Sequence, residues 1–249
     1  MLILLPPSET KRPGGDGPPL RLDTLALPTL GAQRADVVAA LVELSSDEDA
    51  AARVLRLSAR QRGEVAVNAA LREAPTMPAV DRYTGVLYDA LDAQTLDGES
   101  RRWLGAHVLI HSAPFGPVAA ADPIPAYRLA AGTALPGVPP LRQLWAGPVT
   151  AALAAASPRF VLDLRSEAYA ALGPVPAGVD AAYVRVVTET AGGAARALNH
   201  FNKHAKGALV RALAAERPRL ASTDGFLRWA ERSGRIARRG RPGEIELVV

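Results

Sequence analysis

The chain opens MLILLPP, five apolar residues closed by two prolines. A run this short, this apolar and stopped this abruptly predicts a buried strand over Met1–Leu5. The next stretch is opposite in character: Ser8-Glu9-Thr10-Lys11-Arg12, then a Pro/Gly-dense loop over Pro13–Pro19. A polar loop leaving a buried strand is where α/β proteins often place groups that touch ligands. Two more apolar-rich runs read as strands, Ala106–His111 and Arg159–Leu164, and Glu244–Val249 reads as a closing strand. The expectation is therefore a mixed sheet, with helices filling the intervals.

Helical periodicity supplies those intervals. Val37, Ala40, Leu41 and Leu44 share one face of a helix over Ala32–Leu44. Ser46 with Asp49 predicts the start of a second helix, and Arg60–Leu71 continues as a third. The charges of this helical first third read as solvated faces. Further helices are expected over Leu96–Leu104, Pro139–Trp145, Val149–Ala156, Asn202–Ala215 and Phe226–Glu231, the last capped by Thr223. Ser112–Pro125 reads as a long loop, and Ala126–Leu129 as a short strand. Ala182–Glu189 and Ala194–Phe201 read as a hairpin turning at Ala191-Gly192-Gly193. His107 and His111 are placed on one face of their strand. Ser166 as an N-cap accounts for Arg165-Ser166-Glu167 without any functional role.

Charge is written in an unusual hand. Of 29 basic side chains, 26 are Arg, and the three lysines are Lys11, Lys203 and Lys206. A position that stays Lys in such a chain points to a compact, rotatable ammonium with an adjustable pKa. On a helical wheel for Asn202–Ala215, Ala205, Ala208, Leu209, Ala212 and Leu213 fall toward the core. Lys203, Lys206 and Arg211 fall on the other side, with Gly207 between them. Lysines at the start of a helix oppose its dipole, which hints that they serve an anion. The net charge of +4 and the pI of about 9.7 are compatible with nucleic acid or with a phosphorylated small molecule.

Some classes are excluded. With no Cys, thiolate catalysis, thiolate-ligated metal and thiol-based peroxide reduction are closed to this chain. No His pair sits in a metal-binding pattern, so no metal and no cofactor is expected. The opening run is too short for a signal-peptide core and no segment is long enough for a membrane span. The chain is expected to be cytoplasmic and monomeric.

Six stretches, in order, resemble the YaaA-type peroxide-stress proteins. They are Leu4–Lys11; Tyr83-Thr84-Gly85; Ser112 to Arg128 with Phe115-Gly116 and Asp122-Pro123-Ile124-Pro125; Trp145; Asp163 to Tyr169; and Asn202 to Gly207 with Arg211. The resemblance implies one mixed α/β (α+β) domain over residues 1–249, a β-sheet surrounded by helices with a basic cleft. It implies a role in limiting hydrogen-peroxide damage, linked to lowering free intracellular iron, and binding of double-stranded DNA through phosphate contacts. Lys11, Arg128, Lys203, Lys206 and Arg211 would hold the anion, and Ser8, Glu9, Tyr83, Ser166 and Glu167 would line the cleft. A second reading is a lysine-dependent enzyme acting on a small anionic or phosphorylated substrate in the same cleft, with Glu9, Glu167 or Tyr83 assisting.

Overall fold

A computed structural model describes residues 1–189, 195–197 and 199–249. The chain runs β1 (Leu2–Leu5), β2 (Gly17–Pro19), α1 (Gly31–Leu44), α2 (Glu48–Val54), α3 (Glu64–Ala69), β3 (Pro75–Pro78), α4 (Ala79–Arg82) and α5 (Val86–Leu91). It continues through α6 (Gly98–His107), β4 (Val108–Ser112), β5 (Gly116–Ala119), β6 (Pro123–Ile124), α7 (Leu141–Ala155), β7 (Phe160–Asp163) and α8 (Glu167–Ala170). The last third is β8 (Asp180–Glu189), β9 (Ala195–Ala197), α9 (Asn199–Glu216), α10 (Thr223–Arg232), β10 (Ala237–Arg239) and β11 (Glu244–Val248).

The main sheet has the order β10-β11-β8-β7-β1-β4-β5, with β9 pairing on β8. From β11 through β4 every pair is parallel; β10 and β5 close the two edges antiparallel. A parallel strand is covered by helices on both faces, so it reads as an unbroken apolar run. That is why LILL, VLIHS and FVLD carry Ile3, Leu4, Leu5, Ile110, Val161 and Leu162 essentially without exposure. β2, β3 and β6 form a small antiparallel sheet beside it. The whole is a single α+β domain around one apolar core.

Several local expectations shift for physical reasons. The expected loop over Ser112–Pro125 contains β5 and β6, while Ala126–Leu129 is not a strand. Tight turning at Gly116 (φ 61°) lets β5 fold back on β4; a Cβ there would lie 2.9 Å from the Trp145 ring. His107 ends α6 and His111 lies in β4, so they do not share a strand face. The two helical pieces around Pro148 are one helix, α7, with the proline inside it and Trp145, Val149 and Leu153 buried. Asp47, not Ser46, caps α2, and Ser222, not Thr223, caps α10. Arg34 is not solvated: it is fully buried, and its guanidinium donates to the carbonyls of Ala26, Phe115 and Pro117, tying α1 to β5. The hairpin turn expected at Ala191-Gly192-Gly193 lies outside the described residues.

Candidate functional site

β1 is the topological switch point of the sheet. From β1 the chain crosses to β4 on one side and later returns to β7 on the other, both parallel to β1. Loops leaving the carboxyl ends of strands on either side of such a point diverge and leave a crevice, the usual ligand position in open parallel sheets. Here those ends deliver Pro6–Lys11 after β1, His111 and Ser112 at the end of β4, and Leu164–Ser166 after β7.

Lys11 bridges to Tyr83 through the backbone, which turns its side chain into a group of tyrosines. Its Nζ donates to the carbonyls of Ser8 (3.0 Å) and Glu9 (3.1 Å). It also stands 4.1 Å from the centre of the Tyr127 ring and 5.6 Å from that of Tyr83. The two phenols share a 2.8 Å hydrogen bond, and Tyr88 holds the loop by donating to the Pro6 carbonyl at 2.7 Å. Burial pushes all three phenols well above their usual pKa. Burial likewise brings the Lys11 ammonium down to about 7. The Arg128 guanidinium lowers it further, Glu64 and Glu9 oppose the shift, and Arg82 adds to it. Arg128 reaches Glu9 at 3.4 Å, and its backbone is clamped on both sides by the amide of the fully buried Asn68.

Lys206 comes to the same edge from α9. It is only 5% exposed, donates to the Leu164 carbonyl just beyond β7 at 3.0 Å, and lies 5.5 Å from the Tyr183 ring centre. Burial lowers its pKa to about 8, with Asp163 opposing and Arg185 assisting. Beneath it, Arg165 makes a buried two-point ion pair with Asp163 (2.9 and 2.6 Å) and donates to the Gly173 carbonyl and to His111 Nδ1 (3.0 Å). A guanidinium can only donate, so His111 Nδ1 accepts and the ring proton sits on Nε2. That atom is buried with no partner. Burial, then Arg165, hold His111 well below its usual pKa.

The family model described as peroxide stress protein YaaA matches residues 1–229. The chain belongs to the peroxide stress protein YaaA family. Its relatives include a UPF0246 protein of Corynebacterium efficiens, 48% identical over 229 residues, covering 90% of this chain and 89% of the relative. A UPF0246 protein of Corynebacterium glutamicum is 42% identical over 240 residues (95% and 94%), and one of Streptomyces coelicolor 45% over 217 residues (86% and 83%).

Within this YaaA-family chain the anticipated residues separate into groups. Lys11, Ser8, Glu9, Tyr83 and Arg128 are linked into one cluster by the contacts above. Lys206 belongs to the same sheet edge, but neither lysine is among the charges that shift the other. Mutual repulsion of the lysines is therefore not what lowers their pKa values; burial is. Lys206 is also not on a solvent-facing side of α9, whereas Ala208, assigned to the core, is exposed. Arg211 caps α5: its guanidinium donates to the carbonyls of Leu91 (3.0 Å) and Asp92 (2.8 Å) and to Thr95 Oγ1 (2.9 Å). Lys203, Ser166 and Glu167 are exposed, and Glu167 pairs with Arg185 at 3.2 Å. In the Arg232–Arg241 run, Arg235, Arg238 and Arg239 pair with Glu216, Glu246 and Asp224. Tyr127, Asp163 and Arg165 were not among the expected ligand groups, although their stretches carry the resemblance. Nothing in a linear pattern ranks a tyrosine or an aspartate by what it will face. Among the described residues, no three His, Cys, Asp or Glu side chains are grouped to hold a metal.

Proposed function

We propose that this protein serves peroxide-stress defence by binding a small anionic ligand at the carboxyl edge of β1 and β7. The observation that carries the reading is Lys11: its Nζ is held on the Ser8 and Glu9 carbonyls against the Tyr127 ring, and burial, then the Arg128 guanidinium, lower its pKa to about 7. Surface lysines that meet only solvent are not tuned this way, and perturbed ionisable groups in a crevice mark sites of binding or chemistry. Arg128 supplies a fork for a carboxylate or phosphate, and Lys11 supplies a further donor. Calorimetric titration with inorganic phosphate tests it: Lys11→Met and Arg128→Met should each weaken binding by about tenfold or more, as loss of a charge-assisted contact does. Equal binding by wild type and both variants ends the reading. In cells the same variants should fail to restore peroxide survival and the free-iron level.

Double-stranded DNA is a second reading, favoured by exposed Lys203 and the surplus of four positive charges. Its cleft would be basic and cytoplasmic in setting, and its contacts would be to phosphates. Burial of Lys206 sharpens the test. Lys203→Ala should lower the salt slope of gel-shift affinity by about one phosphate contact, whereas Lys206→Ala should not. No binding at low salt removes this reading.

A further inference from the structure

The stretch Thr10–Arg12 runs antiparallel to Arg82–Thr84 about the Lys11–Tyr83 bridge. The Thr84 amide donates to the Thr10 carbonyl at 3.2 Å and the Arg12 amide to the Arg82 carbonyl at 2.8 Å. Successive side chains of such an extended stretch point to opposite faces. Lys11 turns into the tyrosines, so Arg12 turns away from them, into an open cavity of about 480 Å³. That volume lies within the range of small-molecule sites, roughly 300–1,000 Å³. We infer that this cavity is a second ligand site, separate from the Lys11 group, and that it takes a zwitterion. The carboxylate of a free amino acid or short peptide would lie on Arg12, and its ammonium on Asp16.

The pairing of the lining charges carries this. Arg12, Arg101, Asp16 and Asp81 all line the cavity, two of each sign. Arg101 and Asp81 satisfy each other: the guanidinium reaches both carboxylate oxygens, at 3.1 and 2.5 Å, and also donates to the Ala93 carbonyl at 2.8 Å. Arg12 and Asp16 have no such partner. Among the described residues neither makes an ion pair, with the other or with any further side chain. Arg12 meets the oxygen of the Gln94 amide with its two terminal nitrogens, which leaves most of the guanidinium's five N–H donors for a ligand. A cavity with one free guanidinium, one free carboxylate and no net charge favours a ligand that carries both signs over a simple anion. Met77 and Pro78 add an apolar wall, and a thioether adapts to side chains of differing shape.

The cavity is held in shape from behind. Arg82 is fully buried and donates to the carbonyls of Arg12 (2.5 Å), Pro75 (3.1 Å) and Ile124 (3.1 and 3.0 Å), which ties the Arg12 loop to β3 and β6. Gly15 (φ 138°) lies so close on β3 that a Cβ there would overlap the Thr76 carbonyl. Buried Thr76 in turn donates to the Pro18 carbonyl at 2.7 Å. Arg12 and Asp16 therefore stand on a loop whose backbone is fixed on both sides of them, and a site ordered before its ligand arrives loses less entropy on binding.

Calorimetry on the full chain tests this with L-leucine and L-leucyl-L-leucine, each also as its N-acetyl and its methyl ester derivative. The two zwitterions distinguish a free amino acid from a peptide as the source, and the tighter of them names it. Masking either charge should weaken binding to the wild type by about tenfold or more, as loss of a charge-assisted contact does. Arg12→Gln should weaken the zwitterion by a similar factor and leave the methyl ester unchanged; Asp16→Asn should weaken it likewise and leave the N-acetyl form unchanged. Both side chains are exposed, so the variants should keep the wild-type melting temperature. Absence of binding by both zwitterions overturns the proposal. So does equal binding of a zwitterion and its masked forms, unchanged binding by both variants, or displacement of the zwitterion by inorganic phosphate.

Discussion

Lys11 and Lys206 carry the same cost by different means. Each side chain buries an amine against an aromatic ring and repairs part of the loss with backbone carbonyls. Burial disfavours the charged form, and the lowered values of about 7 and about 8 express that. The unfolded lysines hold their protons up to about 10.5, so between the folded and unfolded values the unfolded chain binds more protons. Stability therefore rises with pH across that window and is flat below about 7. Unfolding free energies from urea titrations should climb from pH 7 to pH 9, by up to about 1.4 kcal/mol per unit for each lysine. The Lys11→Met, Lys206→Met double variant should flatten the climb; a parallel slope in that variant would place the effect elsewhere. The lysine count pointed to these positions, since a chain so dominated by Arg has few amines to tune. Burial could not be read there, because nothing in the residue type says that a carbonyl waits at its tip. Arg34 and Arg165 make the same point, being fully buried cations in stretches that read as solvated or merely as turns.

Among the elements, α9 shows most clearly where a sequence pattern stops being informative. A one-sided wheel assumes one buried face. This helix is packed on two sides, by α5 and by β8, so Lys206 and Gly207 are buried along with Ala205, Leu209, Val210 and Leu213. Gly207 is the hinge of that arrangement. A Cβ there would stand 2.0 Å from the Leu87 carbonyl oxygen and 2.9 Å from the Ala90 Cβ, so α5 and α9 meet backbone to backbone. The glycine was legible as a place where another backbone approaches. That Leu87 and Ala90 are what it meets was not, because they lie about 120 residues earlier in the chain. Gly207→Ala should lower stability by about 1–3 kcal/mol or more through overpacking. Ala208→Ser, one residue on and exposed, should change it by less than about 0.5 kcal/mol. Equal melting temperatures for both would refute the close crossing. Arg211 closes the same contact by capping α5; its exposed-looking charge serves the fold.

At the scale of the molecule, the arrangement is set by where the parallel strands end. Three apolar runs were readable as strands because both of their faces are covered. Their order was not, since β5 and β6 lay hidden in a stretch rich in Pro, Ala and Gly. Only the order makes β1 the switch point, and only that places the Pro6–Lys11 loop beside the ends of β4 and β7. The sheet continues beyond the segment matched by the family, through β10 and β11, with β11 laid parallel on β8. The six stretches of the resemblance lie mostly at these strand ends and on the helices that face them. Family membership and fold thus converge on one edge, where the two buried amines of Lys11 and Lys206 stand. With three lysines in the chain, selective lysine labelling with ¹³C gives a spectrum simple enough to titrate each side chain by NMR. Lys11→Met and Lys206→Met assign the signals. The Lys11 signal should titrate at about 7 and that of Lys206 at about 8; a Lys11 signal that titrates at the ordinary lysine value of about 10.4 would contradict a tuned amine at this edge.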